Sequence, residues 1–428
     1  MEQKKKILSA LQNRRDELLT LAKWVVLAVL TGVGVGLVGV CFHHAVDWAT
    51  EARHTYPWLL YLLPVAGLAI VWLYHLAGVK QDRGTNLVLQ AVRGEAPMAF
   101  RTAPLIFIAS TLTHLCGGSS GREGAALQLG GSIASSLGRR LGFDEDDRRI
   151  LVACGMSAAF SALFGTPLSA AVFALEVAHV GVMHYAALAP TVLSSLTAAL
   201  LARAVGVAPT AYEVAQFPDN TPAALARTVL LGVLCALVAI LFYTAMHAAH
   251  HAYQRAFKNP YLIIAVGGVL VQILTILVGN RDYNGAGGEV ITAAVGGQAV
   301  PYAFLLKILF TALTLGAGFK GGEIVPTFFT GATFGCVVGP LLGLPAPFAA
   351  SVGMVAVFCG VTNCPLASIL LAHELFGGQC LGLYAAACAV SYLLSGYGGL
   401  YSAQQIVYSK RAPREYRGEE EREKEGVE

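Results

Sequence analysis

The sequence predicts an all-α polytopic membrane protein built from two repeated halves, and three observations carry that prediction. Mean hydropathy is +0.62, and only 13% of the 428 residues are charged, against about 25% in soluble domains. Among the 47 glycines, several interrupt apolar segments instead of separating them. Inside a bilayer, broken backbone of this kind is tolerated only where protein or a watery cavity covers it. The breaks also recur. A shift of 200 residues lays Gly118, Gly121, Glu123 and Gly131 on Gly318, Gly321, Glu323 and Gly331. A shift of 198 lays Gly155, Met156, Ala158, Phe160, Pro167, Leu168 and Glu176 on Gly353, Met354, Ala356, Phe358, Pro365, Leu366 and Glu374. Interrupted apolar segments at corresponding places in two halves mark the midplane site of a transporter.

Residues 1–23 form a polar, basic segment with Lys4-Lys5-Lys6 and Arg14-Arg15. It reads as an amphipathic helix held on the cytoplasmic side, because basic flanks of a first span stay inside. With no short apolar core followed by a cleavage site, the first long apolar run, about 24–46, reads as a retained span. A second span covers about 58–76, with Trp58, Tyr61, Trp72 and Tyr74 as interfacial anchors. Gln81 to Leu89 leads with polar residues into an apolar segment, where Thr85 or Asn86 can serve as a helix N-cap. Apolar pieces at 102–116, 125–141, 150–164 and 167–187 follow, several shorter than the roughly 20 residues of a full span. Short, tilted and re-entrant helices are therefore expected. The charged island from Arg139 to Arg149 reads as an aqueous loop, and 208–224, with three prolines, as the link between halves. The second half offers spans at 223–250 and 260–279, a turn at Arg281 to Gly285, and segments at 301–316, 345–361, 365–376 and 380–395. The resulting division is 1–23, 24–215, 216–408 and a charged cytoplasmic tail, 409–428, that contains Glu419-Glu420-Glu421-Arg422.

The first glycine break, Gly117-Gly118-Ser119-Ser120-Gly121-Arg122-Glu123-Gly124, opens a helix directly at a carboxylate. Free amides and the positive end of that helix favour an anion in the gap, and Glu123 is an anion supplied by the protein itself. The second break, Gly318-Phe319-Lys320-Gly321-Gly322-Glu323-Ile324-Val325-Pro326, repeats the arrangement. Glu323 either caps the helix that begins at Ile324 or acts in selectivity or proton relay as the counterpart of Glu123. Lys320 either concentrates anions or faces water. Glu176 and Glu374, at the ends of apolar segments, read as hydrogen-bonding neighbouring helix ends. Nine scattered cysteines without a C-x-x-C pair read as small buried thiols and not as disulfides or metal ligands. The eleven histidines show no ligand spacing with carboxylates and read as structural or interfacial. No metal or other cofactor is called for, and no basic stripe exists for nucleic acid.

Gly121-Arg122-Glu123-Gly124, the stretch from Gly321 to Pro326, and Gly399-Leu400-Tyr401-Ser402, in that order, resemble the CLC anion channels and transporters. The likeness spans about residues 24–405. It implies the CLC-type fold, two inverted-topology halves of tilted and broken helices, and a homodimer with one anion pathway per subunit. It further implies that Glu123 is the gating glutamate, that Tyr401 donates its hydroxyl to a central anion, and that amides at Gly121, Arg122, Gly124, Ile324 and Val325 surround it. Gly84, Thr85 and Asn86 fall where chloride-selective members carry Gly-Ser-Gly-x-Pro. Four departures stand out. That stretch lacks its second glycine and its proline, Ala125 replaces a motif proline, Glu323-Ile324 stands where many members have an aromatic residue, and Val177 follows Glu176 where chloride/proton exchangers have a second glutamate. These changes resemble the fluoride-exporting branch.

Fluoride holds water tightly and accepts hydrogen bonds strongly, so dense donors from Asn86, Thr85, Tyr401 and helix ends suit it. The expectation is a fluoride exporter that exchanges F⁻ for H⁺ in the inner membrane, with both termini cytoplasmic. A chloride/proton antiporter or passive chloride channel is the alternative. A membrane hydrolase using Glu123 and Glu323 lacks a nucleophile, base and orienting set.

Overall fold

The computed structural model describes residues 2–79, 82–412 and 415–416, with side chains from residue 13 onward. Sixteen α-helices account for nearly all regular structure among them. The first eight are α1 (Glu2–Thr55), α2 (Leu63–Leu76), α3 (Thr85–Val92), α4 (Thr102–Leu115), α5 (Glu123–Arg140), α6 (Glu145–Phe164), α7 (Pro167–Glu176) and α8 (Leu188–Ala204). After an irregular stretch come α9 (Pro222–Ala256), α10 (Pro260–Val278), α11 (Gly288–Val295), α12 (Ala303–Gly316), α13 (Ile324–Leu341), α14 (Ala346–Thr362), α15 (Pro365–Phe376) and α16 (Leu381–Leu394). The one sheet is a parallel pair, β1 (His179–Val180) against β2 (Gln405–Ile406). Six segments are long and apolar enough to cross a membrane, and six more apolar helices run only 10–17 residues. The short pieces are stable because protein surrounds them. In α14, every residue from Pro347 to Thr362 is buried.

Helix order repeats between halves, with 8 residues in both α3 and α11, 14 in α4 and α12, and 18 in α5 and α13. The halves meet through reciprocal contacts. Gly121 and Gly322 exchange two backbone hydrogen bonds of 2.7 Å in an antiparallel bridge. Ser119 N–H donates to Thr314 Oγ1 at 3.1 Å, and Lys320 N–H to Thr113 Oγ1 at 3.3 Å. Glu176, ending α7, accepts from the Leu366 and Ala367 amides that open α15. Glu374, in α15, accepts from the Leu168 and Ser169 amides that open α7. Each contact has a partner with the two halves exchanged, as a local two-fold requires.

These contacts correct the register of the repeat. Gly121 pairs with Gly322, the left-handed glycines at the two breaks are Gly117 and Gly318, and Ser119 corresponds to Lys320, so the local offset is 201 and not 200. The helix crossings agree. A Cβ on Gly130 or Gly155 would strike the other's carbonyl, and Gly331 and Gly353 face each other in the same way. Glu123 is thus the first residue of α5, whereas Glu323 lies just before α13. The positional counterpart of Glu123 is Ile324. A shift of 200 aligns residue types because glycine runs on both sides supply matches one position out of register.

Other expectations change as well. The N-terminal segment is continuous with the first span. At about 1.5 Å per residue, the 54-residue α1 is about 80 Å long, far beyond a hydrocarbon core of about 30 Å. Its Leu18, Leu19 and Leu21 are exposed. Arg139 to Arg149 is mostly helical, not a loop. Arg139 and Arg140 end α5, while Glu145, Asp146 and Asp147 begin α6 behind an Asp144 cap on the Asp147 amide at 2.8 Å. Arg139, Arg140 and the three acids sit at the helix ends whose dipoles favour them. The 167–187 piece stops being helical at Glu176. Helix α8 falls in no expected segment. Its Thr191, Ser194 and Ser195 hydroxyls dilute the apolar signal but are bonded to the Ala187, Cys154 and Pro167 carbonyls. The eight-residue α3 and α11 are too short for a periodicity signal. Seven cysteines are buried, but Cys41 is exposed. Gln81 and the Glu419 to Arg422 run lie outside the described residues.

Candidate functional site

The bridge between Gly121 and Gly322 dictates what lies at the centre. Glycine is required there because a Cβ on Gly322 would stand 2.5 Å from the Gly124 amide nitrogen and 2.9 Å from that of Glu123. With the two segments pressed together, the start of α5 faces the start of α13. The Glu123 side chain, 1% exposed, turns back into this junction. Its carboxylate accepts from the Arg122 N–H at 3.0 Å and lies against its own amide and that of Val325. Donors from both halves therefore converge on a single carboxylate, and the two helix dipoles add to them. Isolated in hydrocarbon such a charge costs several kcal/mol. Here the backbone solvates it.

Beside this junction lies a cavity of about 490 Å³ whose wall includes Thr85, Asn86, Gln128, Lys320, Glu323 and Ala403. Gly84, left-handed at φ 55°, takes the N-cap place of α3, so neither Thr85 nor Asn86 is the cap. Thr85 is buried, and Asn86 Oδ1 accepts from the Ala403 N–H at 2.9 Å, leaving its NH₂ group as donor on the cavity wall. Lys320 Nζ is 2.8 Å from Asp82 Oδ2 and lies over the Tyr74 ring. Among the described residues, Glu323 Oε2 and Gln128 Oε1 in this wall, and Tyr401 Oη between the wall residues Leu400 and Ser402, are buried without a hydrogen-bond partner. Burying such a group unmet costs about 1–3 kcal/mol. Two of them, on Glu323 and Gln128, line the cavity, which suits a polar ligand.

Most residues expected at the site come together. Glu123, Gly121, Gly124, Val325 and the Arg122 amide form the junction, and Tyr401 lies within electrostatic reach of Glu323 and Glu123. Ile324 is fully buried at the first position of α13. The Arg122 side chain points elsewhere. Its Nη1 contacts Asp47 Oδ1 at 2.9 Å and His43 Nδ1 at 2.8 Å on α1. Glu323 occupies the N-cap position without a side-chain cap bond, so it is not a capping residue. A Cβ on Gly124 would lie 3.1 Å from Glu323 Oε2 and 3.2 Å from Thr85 Oγ1, which puts this acid on the Thr85 side. Gln128 escaped the sequence reading. The signal was available, since it is the only polar amide in an α5 of small and apolar residues, one turn beyond Gly124, whose carbonyl accepts from Gln128 Nε2 at 3.3 Å.

Comparison with known proteins agrees with the fold. The family model described as "Voltage gated chloride channel" matches residues 66–396. A "Chloride/fluoride channel protein" of Pseudomonas syringae pv. tomato is 38% identical over 408 residues, covering 93% of this chain and 90% of the relative. The crystal structure of a CLC-type fluoride/proton antiporter superposes with a TM-score of 0.87 at 32% identity, over 90% of this chain and 98% of that one. A slow cyanobacterial Cl⁻/H⁺ antiporter shares the fold, with a TM-score of 0.74 at 20% identity over 89% of this chain and 96% of the other.

Proposed function

Because the chain belongs to the voltage gated chloride channel family, we propose that it exports fluoride across the membrane in exchange for protons, with Glu123 as the exchanging carboxylate. One observation carries the reading: amides from both halves, Arg122 and Val325, converge on the Glu123 carboxylate. A ring of donors that seats a carboxylate also seats a small anion, so the two compete for one place. Ionised Glu123 holds the site. Protonation removes its charge, weakens its hold on the amides and lets an anion take over. The anion's departure returns the carboxylate and releases the proton, and repetition moves H⁺ one way and the anion the other.

Choice of fluoride is supported by the names of the Pseudomonas relative and the antiporter of known structure, and by the donors. The Tyr401 hydroxyl, Thr85 and the Asn86 NH₂ group offer hydrogen bonds where a strongly hydrated anion must shed water. Glu323, once protonated, adds another donor to so strong an acceptor. This assigns it to selectivity or proton relay. Fluoride is itself a base, so a proton can travel beside it, and Val177 in place of an internal acceptor carboxylate fits such a route. The residues serving the anion are thus Gly84, Thr85, Asn86, Gly121, Arg122, Gly124, Glu323, Ile324, Val325 and Tyr401. Residues 24–215 and 216–408 act as the two halves of one subunit of a homodimer in the inner membrane, with both termini cytoplasmic, as the basic N-terminus favours.

Efflux from proteoliposomes, read with a fluoride or chloride electrode and a proton electrode together, tests the proposal. Fluoride efflux accompanied by proton uptake, lost in Glu123→Gln, is expected. Fluoride flux without proton movement overturns it. The word "channel" in the relative's name favours, as a second reading, passage of chloride or uncoupled anions, and the same two electrodes separate the readings.

A further inference from the structure

We propose that a trough between α1 and the end of α5 seats one anionic phospholipid of the surrounding bilayer, with its phosphate at Arg140 and Arg139 and an acyl chain over Gly34.

The trough is a cavity of about 400 Å³ with a mostly apolar wall that includes Leu30 of α1, Leu137 and Leu141 beside it, and Phe100. Gly34 lies in the same wall, and a Cβ there would meet nothing within 4 Å. Its neighbouring glycines differ. A Cβ on Gly32 would strike the Ser194 carbonyl of α8 at 2.6 Å, and one on Gly36 would press on the Ala198 Cα at 3.2 Å. Those two serve the crossing of α1 with α8. Two residues turn a helix by about 200°, so Gly34 faces away from that crossing and into the trough. Glycine weakens a helix interior, and no contact among the described residues explains one at this position. The space it opens fits a chain from outside the protein.

The polar groups of the trough point to the same occupant. Thr31 Oγ1, in the wall, is buried and has no hydrogen-bond partner among the described residues. Thr20 and Thr50 of the same helix instead donate to the Asp16 and Val46 carbonyls one turn back. Arg140 lines the trough with its guanidinium carbon 5.9 Å from the Phe100 ring centre. Arg139 beside it donates to the Ser135 and Ser136 hydroxyls at 3.2 and 2.9 Å. The acids that follow are engaged elsewhere. Asp147 pairs with Lys23, Glu145 and Asp146 pair with Arg149, and Asp144 caps α6. Both arginines are thus left without a carboxylate among the described residues. Lys23 lies over the Trp24 and Phe143 rings. Tryptophan at the start of a span marks the membrane interface, and Phe143 follows Arg140 by three residues, so the arginines stand at headgroup level.

Paired guanidiniums suit a phosphate, a spare hydroxyl suits a glycerol ester carbonyl, and the apolar trough suits an acyl chain. A phospholipid offers all three in one molecule. Its headgroup should be anionic, because a choline cation would face two arginines. Free phosphate would use the arginines and leave the space over Gly34 unexplained.

The test counts lipids by native mass spectrometry. Full-length protein stripped of lipid in detergent is equilibrated with equal amounts of dioleoylphosphatidylglycerol and dioleoylphosphatidylcholine. Wild type is expected to hold one lipid per chain at this seat, and to favour phosphatidylglycerol by about fivefold for each arginine, the equivalent of about 1 kcal/mol apiece. Arg140→Gln should keep the lipid and lose about fivefold of the preference, and replacing Arg139 as well should bring the two lipids near parity. Gly34→Leu fills the trough and leaves both arginines in place, so it should retain one lipid fewer per chain. The Gly34 position is open and Arg140 has no ion pair among the described residues, so both variants should elute and melt as wild type does. An Arg140→Gln protein with the wild-type preference overturns the proposal. So does a Gly34→Leu protein that retains as much lipid as wild type, since the arginines would then attract headgroups without any seat for a chain.

Discussion

Glu123 and Glu323 share a side chain and a neighbourhood, yet a single step of register gives them different chemistry. Glu123, inside the first turn of α5, meets amides from both halves. Glu323, one place earlier relative to α13, keeps an oxygen without any partner. Exchanging Glu123 for Gln preserves volume and removes the titrating proton. Proton uptake measured with a pH electrode should fall to the level of empty liposomes. Tyr401→Phe is a subtler change. Its hydroxyl has no partner among the described residues, so deleting it removes no hydrogen bond seen there and the melting temperature should hold. A hydrogen bond to a charged ligand is worth about 1.5–3 kcal/mol. The fluoride concentration giving half-maximal flux should therefore rise at least tenfold. A fall in melting temperature with unaltered fluoride dependence would make Tyr401 a packing residue.

Among the elements, the short helices are tied in by ends and crossings. Glu176 and Glu374 each close two amides of the other half's helix. Replacing either with Ala should cost about 1–2 kcal/mol, the scale of a lost N-cap. The two costs should match, because the contacts are two-fold related. Thermal unfolding in detergent reads both, and a large cost at one site with none at the other would contradict the symmetry. Glycine crossings are stricter still. Gly155→Val and Gly353→Val each drive a side chain into a facing carbonyl, and overpacking of this kind costs about 1–3 kcal/mol or more. Both should lower the yield of monodisperse protein.

For the molecule as a whole, the two halves meet at a glycine bridge inside each chain, and the proposed function places one anion pathway there. Two chains per particle are expected, so detergent-solubilised protein should have twice the 44.9 kDa chain mass by light scattering after correction for detergent. A monomeric particle with full fluoride flux would show that the pathway needs no partner.

Much of this was legible in the sequence. Apolar runs, charge scarcity and recurring glycine breaks are set by the solvent, since lipid demands internally bonded backbone, and they specified membrane helices and a repeat on composition and order alone. The place of Glu123 was legible too, because a glycine break and the helix start behind it are local features of sequence. What the one-dimensional pattern could not decide was anything depending on which atoms face each other. Register is one such case. Shifts of 200 and 201 both align glycines, and only the paired hydrogen bonds of Gly121 and Gly322 choose between them. The reciprocal caps of Glu176 and Glu374, separated from their amides by about 200 residues, are another. The Arg122 side chain is a third, adjacent to Glu123 in sequence yet turned to His43 and Asp47, nearly 80 residues away. Local sequence sets what each segment can be. Close contact between distant backbones, possible only where glycine leaves room, decides what each side chain does.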